Sequence, residues 1–310
     1  MNDFFVNWFY RIAAKGWVSP TLFERRLPKA ESLPARTGPL HIELVSHCWN
    51  YAHLLRYQLS SLVLSPPAKT HVTMTVIYCP EDQGTVDLLQ EFGRLAISNV
   101  TWNWVPVEKP RLFRRAIGRN LRAKATTADW IFFTDCDQMF YRDAFDKLGE
   151  ELQGRRDYLL FPRVAQCSHR VHEASEVLKE TPTRQGVSLV EIDTELFHPV
   201  VHHKAVGGLQ IVHGDVARAI GYCEALKHYQ TPCPGFGNTY EDRSFRWLLG
   251  THGTPIDVPH IYRIEHHQKG RYESRRIPQW LRPVLSNAGR KELLAKLRPQ
   301  AGETNSRRAA

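Results

Sequence analysis

The chain of 310 residues carries 42% hydrophobic and 24% charged residues, ordinary globular usage that excludes a wholly disordered protein and suits one large α/β domain or two modest ones. Its 41 Lys and Arg exceed its 32 Asp and Glu by nine, which suits an anionic partner such as a nucleotide diphosphate, an acidic glycan, an anionic lipid surface or nucleic acid without choosing among them. The 6 cysteines lack zinc-finger spacing and read as free thiols of a reducing compartment, and no window approaches the ~18 to 20 apolar residues of a spanning helix.

The chain opens "MNDFFVNWFYRIAAKGW", in which Phe4, Phe5, Trp8, Phe9 and Ile12 recur at helical spacing beside Arg11 and Lys15. Without a basic leader and a small-residue cleavage site it is not expected to be a signal peptide. Two readings remain, a helix packed on its own domain and an interfacial helix resting on an anionic leaflet. Both keep the protein cytoplasmic, the second as a peripheral protein of the inner membrane face. "RRLPKAESLPARTGPL", rich in Pro and charge, reads as a linker, so residues 1–38 form an N-terminal helix and linker.

A strand–helix alternation follows. "HIELVSHCW" and "HVTMTVIYC" read as strands separated by a helix from about Tyr51 to Val63. "GTVDLLQEFGRLA" reads as a helix and "NVTWNWVPV" as a strand. Pro110 starts the next helix, where a missing N–H does no harm. That helix places Arg111, Arg115, Arg119 and Arg122 along one stripe, with Leu112, Phe113, Ala116, Ile117 and Leu121 opposite. "DWIFFTD" is the most continuously apolar strand and so the expected centre of the sheet. Serial strand–helix–strand units imply an α/β fold with a mostly parallel sheet and flanking helices. Beyond about residue 154 the rhythm loosens. "YLLFPRVAQC", "VGGLQIVHG" and "HIYRIEHH" read as strands, and "PCPGFGNTYEDRSFRWLL" as a Gly/Pro-rich loop entering a helix. Residues 272–310 read as a basic helix ending in a disordered tail.

The central strand ends in "TDCDQ". In an open parallel sheet, ligands bind outside the carboxyl ends of the strands, where Asp135 and Asp137 fall. Two residues apart in extended chain, their side chains share one face, and two carboxylates so close call for a cation. A divalent metal supplies that charge and can grip a phosphate. Capping of the next helix is the plainer reading of the pair. Glu241 and Asp242 stand between a glycine loop and an amphipathic helix, where they can complement the dipole or provide a general base. His266 and His267, then Lys269 and Arg271, follow the last strand. Cys136 reads as an apolar filler, and the basic residues do not interleave with aromatics as a nucleic-acid site requires.

This order resembles glycosyltransferases of the GT-A fold. "GRNLRAKATTADWIFFTDCDQMF" is similar to the donor half of family 2 enzymes, and "VGGLQIVHGDVARAIGYCE…GFGNTYEDRSFRWLLGTHG" to the C-terminal segment of galactosyltransferase-type enzymes. The similarity spans residues 39–271. The second strand ends "YCPEDQGT" where the family has Asp-Asp-Gly-Ser, and Asn238, Thr239 and Tyr240 intervene before the Glu-Asp pair. The resemblance implies metal-dependent, inverting transfer of a hexose or N-acetylhexosamine from a nucleotide sugar, a UDP-sugar above all, to a saccharide or lipid-linked glycan. It implies Asp137 as a direct ligand of Mn²⁺ or Mg²⁺, with Asp135 on the metal or the ribose and His266, or else His267, completing the set. Asp242 becomes the general base, with Glu241 orienting the acceptor or starting the helix. Arg119, with Lys269 or Arg271, steadies the diphosphate. Gly207 and Gly208 admit the donor sugar, and Glu81 and Asp82 contact the nucleoside. The rival functions are a sugar nucleotidyltransferase, whose glycine-rich basic loop is replaced here by "SHCWNYAHLLR", and a non-catalytic sugar-nucleotide or glycan-binding module.

Overall fold

A computed structural model of the chain describes residues 3–235 and 240–267, with the side chains of Val6, Trp8, Phe9 and Tyr10 but not the others between residues 3 and 11. The helices α1 (Asp3–Ile12), α2 (Ala52–Leu64), α3 (Gln83–Gly93), α4 (Lys109–Leu112), α5 (Arg115–Ala125), α6 (Ala144–Leu152), α7 (Gly214–Ile220), α8 (Lys227–Gln230) and α9 (Glu241–Leu248) pack around a seven-stranded sheet. The strands of its first half are β1 (His41–Cys48), β2 (His71–Tyr78), β3 (Val100–Pro106) and β4 (Trp130–Phe133). All four are mutually parallel, in the spatial order β4-β1-β2-β3.

The chain then leaves this sheet for β5 (Gln138–Phe140), returns as β6 (Leu159–Pro162), and departs again as β7 (Val164–Ser168). Short antiparallel pairs follow, β8 (Leu178–Glu180) with β11 (Glu191–Ile192) and, between them, β9 (Thr183–Arg184) with β10 (Val187–Ser188). Next come β12 (Phe197–Val201), β13 (Gln210–His213), β14 (Thr254–Ile256) and β15 (Ile261–Arg263). The full order of the large sheet is β14-β6-β13-β4-β1-β2-β3, and only β13 runs against its neighbours. The looser rhythm after residue 154 thus has a topological cause. Strands there alternate between this sheet and a second one of order β12-β7-β15-β5.

As its apolar run requires, β4 is the central strand, and all four of its residues are buried. Because successive side chains of a strand point to opposite faces, Trp130 and Phe132 join one core layer while Ile131 and Phe133 join the other. Both faces are apolar because helices cover both. The first layer takes Leu55, Leu59 and Leu62 of α2 and Leu88, Leu89 and Phe92 of α3. The second takes Ala116 of α5, Val216 and Ala217 of α7, and Phe245 and Leu248 of α9.

The N-terminal region differs from the amphipathic pattern. Trp8 is 56% exposed, whereas Tyr10 faces inward with its ring 5.5 Å from Tyr229. Phe23 and Trp247 continue this aromatic cluster at 5.3 Å, so ring packing decides which side of α1 faces the body. The Pro-rich segment behind it is fastened down rather than free. Leu33 is buried, Arg26 pairs with Glu224 at 2.7 Å, and Arg36 reaches Asp129 and Asp215 at 3.2 and 3.1 Å. Among the described residues no helix is long and apolar enough to cross a membrane.

Candidate active site

The segment after β4 is a turn and not the extended chain that places Asp135 and Asp137 on one face. The Gln138 amide donates to the Asp135 carbonyl at 3.2 Å, closing Asp135–Cys136–Asp137–Gln138 into a reversal before β5. The two carboxylates therefore acquire separate partners.

Asp137 is 5% exposed and lies against the last strand. Pairing of β5 with β15 sets Gln138 opposite Arg263, and the Ile264 amide donates to the Asp137 carbonyl at 2.9 Å. That register delivers Arg263 Nε to Asp137 Oδ2 at 3.3 Å and His266 Nε2 to the same oxygen at 3.7 Å. The other oxygen, Oδ1, is buried without a hydrogen-bond partner. A buried carboxylate oxygen left unbonded costs about 1–3 kcal/mol or more, and a cation or donor arriving with a ligand would relieve that cost. Of the two histidines, His266 is the one beside Asp137, while His267 stacks on His172 with ring centroids 4.3 Å apart.

Asp135 turns toward α5. Its Oδ1 accepts from Arg115 at 3.0 Å and lies 3.7 Å from Arg119. Gly208 packs on the opposite side, where a Cβ would come within 2.9 Å of Asp135 Oδ2 and 2.8 Å of Gln138 Nε2. No larger residue fits that approach without displacing the carboxylate. Arg115 also donates through Nε to Glu241 at 3.0 Å, so one guanidinium bridges the turn after β4 and the start of α9.

Glu241 is 2% exposed. Burial by itself would raise its pKa, but the charges of Arg115 and Arg119 outweigh that and hold it below the usual carboxylate range. It is an internal anion at the start of α9, the helix-starting alternative of its two expected roles. Asp242 is the accessible partner, with a side chain 31% exposed whose Oδ2 lies 3.3 Å from Arg246 on the next helical turn. Its Cβ would be 3.8 Å from one built on Gly207, which places Asp242 over the Gly207–Gly208 segment. Tyr240, just before the pair, has a left-handed backbone with φ 53° that turns the chain into α9.

Arg119 differs from its expected place at the diphosphate. It is fully buried, donating to the Gly207 carbonyl at 2.7 Å and to the Tyr222 hydroxyl at 2.9 Å between the rings of Phe133 and Tyr222. Leu121, expected on the buried face of that helix, is 39% exposed. The simple stripe fails because α5 buries Gly118, Arg119 and Ala123 as well as its apolar residues. The arginines at the accessible edge are Arg115 and Arg263, with side chains 24% and 38% exposed. Arg115 was visible in the helical stripe. Arg263 had no marker beyond its place in "YRIEHH", since its value comes from strand pairing.

Asp82 is buried and committed to structure. It accepts from the Asn50 amide at 2.6 Å and from the Thr85 hydroxyl at 2.6 Å as the cap of α3. Glu81 is exposed and pairs loosely with Lys109 at 3.7 Å. Lys269 and Arg271 lie outside the described residues, as do residues 236–239 of the glycine loop and the basic tail. His47, at the end of β1, also borders the cluster. Burial, then the charges of Arg119 and Arg115, push its pKa well below the usual imidazole range, so it stays neutral there. Cys136 is held as a thiol by its hydrogen bond with Cys48 and by burial, which raise its pKa well above normal. No group of three or more His, Cys, Asp or Glu side chains among the described residues forms a complete metal cage.

No family model matches the chain, and no curated protein sequence matches it. Its fold is similar to two solved structures of S. aureus TarS. A structure of residues 1–349 aligns at 15% identity over 73% of this chain and 58% of that one, with a TM-score of 0.41. A further TarS structure aligns at 12% identity over 73% of this chain and 37% of that one, with a TM-score of 0.44. The present chain thus spans less than two thirds of either.

Proposed function

We propose that the protein is an inverting glycosyltransferase that moves a hexose or N-acetylhexosamine from a nucleotide sugar, with UDP as the leaving group, to a hydroxyl of a saccharide or lipid-linked glycan. The observation that carries this reading is the junction at the end of β4. Asp137 offers an unbonded buried oxygen beside Arg263 and His266, and Arg115 ties the same turn to the helix bearing Asp242.

The residues fit a divalent cation. Asp137 Oδ1 and His266 Nε2 would hold it, and two protein ligands suffice for an ion that takes its remaining ligands from diphosphate and water. Mn²⁺ suits this mixed carboxylate and imidazole set, with Mg²⁺ as the substitute. When bound, such an ion acts as a Lewis acid for the departing diphosphate. Arg263, on the exposed side of Asp137, adds positive charge for the same oxygens. Gly208, lacking a side chain, lets Asp135 and Gln138 pack against its backbone and so keeps the Asp135 carboxylate in place at the donor side. Asp242 accepts the proton of the acceptor hydroxyl, whose oxygen bonds to the anomeric carbon from the face opposite the diphosphate. The bond from that carbon to the diphosphate oxygen breaks, and its electron pair leaves with the nucleotide. One displacement of this kind inverts the anomeric configuration.

The test is calorimetric titration of UDP with and without Mn²⁺. The wild-type protein should bind UDP more tightly with the metal, and Asp137→Ala should lose that gain. Equal binding by the variant would remove Asp137 from the role. Release of pyrophosphate on incubation with a sugar phosphate and a nucleoside triphosphate would instead favour a nucleotidyltransferase.

A further inference from the structure

A cavity of about 550 Å³ opens beside α9, between the N-terminal segment and the loop after the helix. Lys15, Lys204, Arg243, Arg246, Trp247 and His252 are among its walls, and no Asp or Glu among the described residues lines it. Arg246 is the one cation there with a carboxylate partner among the described residues, through Asp242 at 3.3 Å, and its Nη1 also donates to the Ala205 carbonyl. The indole of Trp247 donates to the Val18 carbonyl at 2.9 Å and so stitches the two walls together. Asp242 offsets only Arg246, so the cations gathered around the concavity leave a site of positive potential. A space of this volume is a small-molecule pocket and far exceeds a single inorganic ion. Its lining pairs those cations with the apolar surfaces of Ala14, Val18 and Trp247.

We propose that this cavity binds a phosphoryl group carried by the acceptor, so that the acceptor is a phosphate-bearing molecule. Guanidinium and ammonium groups together match the tetrahedral oxygens of a phosphoryl group. This inference rests on the reading of Asp242 as the base. Arg246 stands four residues after Asp242, ~6 Å along the helix axis. An acceptor anchored by its phosphate at Arg243 and Arg246 is held within about one helical turn of Asp242, whose carboxylate lies 3.3 Å from Arg246, so its neighbouring hydroxyl has a short path to the base. The phosphate has two sources, a lipid headgroup or a soluble phosphorylated saccharide. Trp17, whose chain neighbours Gly16 and Val18 line the cavity, is 79% exposed, with Leu22 at 65% nearby in sequence.

The experiment uses the full chain with inorganic pyrophosphate as the probe, titrated in the absence of divalent metal. Lys204→Glu combined with Arg243→Glu should weaken pyrophosphate binding at least about tenfold, as loss of charge-assisted contacts does. Arg263→Gln, which removes the cation beside Asp137 at the proposed nucleotide site, should leave it intact. Unchanged affinity in the charge-reversed variant overturns the proposal. So does loss of affinity in Arg263→Gln, because the anion would then occupy the nucleotide site. Lys204 is exposed, and a thermal melt matching the wild type verifies that the charge-reversed protein is folded. Sedimentation with phosphatidylcholine vesicles, with and without phosphatidic acid, separates the sources. Binding that requires phosphatidic acid, Trp17 and the two cations assigns a lipid phosphate. Pyrophosphate binding without vesicle binding assigns a soluble one. If UDP fails to bind the wild type while pyrophosphate binding still depends on Lys204 and Arg243, the transferase reading falls and the anion site stands.

Discussion

Replacing Arg115 with Met should convert a satisfied internal carboxylate into an unsatisfied one. Arg115 Nε bonds Glu241, whose side chain is 3% exposed, and Arg115 Nη1 bonds Asp135, whose side chain is 31% exposed, each at 3.0 Å. Breaking the buried half of that bridge costs about 3–5 kcal/mol, because the remaining charge stays in a poorly solvated site. The half-exposed contact with Asp135 adds only about 0.2–1 kcal/mol, since water screens it. The expected loss is about 4 kcal/mol at pH 7, or ~8–16 °C in Tm for a chain of this size. Its pH dependence should reverse sign. In the wild type Glu241 is depressed, so it contributes stability above the unfolded value of ~4.3 that is lost as the pH falls. In the variant, burial is opposed by Arg119 without Arg115, so the carboxyl moves upward and the variant should lose stability as the pH rises through its new value. Urea denaturation of Arg115→Met at pH 5 and pH 8 measures this. Adding Glu241→Gln should restore more than half of the loss, because a neutral amide removes the stranded charge. A loss below about 1 kcal/mol, or a double variant no more stable than the single one, would refute the buried-bridge account.

Three further outcomes are expected. Asp242→Asn should lower transfer ~10²- to 10⁴-fold while calorimetric UDP affinity stays near normal, and surviving turnover would place the base elsewhere. Gly208→Ala brings a Cβ within 2.8 Å of Gln138 Nε2 and 2.9 Å of Asp135 Oδ2, so it should cost about 1–3 kcal/mol in denaturation and weaken donor binding. Gly118→Ala lies inside α5, where alanine ordinarily stabilises by ~1 kcal/mol, yet here its Cβ would run into His47 and lie 2.8 Å from Ile77 Cδ1. Thermal melts should therefore show destabilisation, and a gain in Tm would contradict the close helix-to-strand packing.

The linear order of residues was enough to identify the α/β alternation, the central place of β4 and the clustering of acids at its end. Periodicity and apolar runs are local properties, and an apolar strand bounded by acids reads the same in any fold that buries it. The partners of those acids were not local. Gln138 and Arg263 lie far apart in the chain and become neighbours through the β5–β15 pairing, which no periodicity announces. That register gives Asp137 its arginine and places His266, rather than His267, beside it. In the same way the helical stripe predicted an exposed Arg119, and the packing of α5 against Tyr222 and Gly207 buried it. Sequence determined which charges this protein possesses and which elements carry them. Tertiary structure decided which of those charges are neutralised internally, because solvation and pairing are set by neighbours from distant segments.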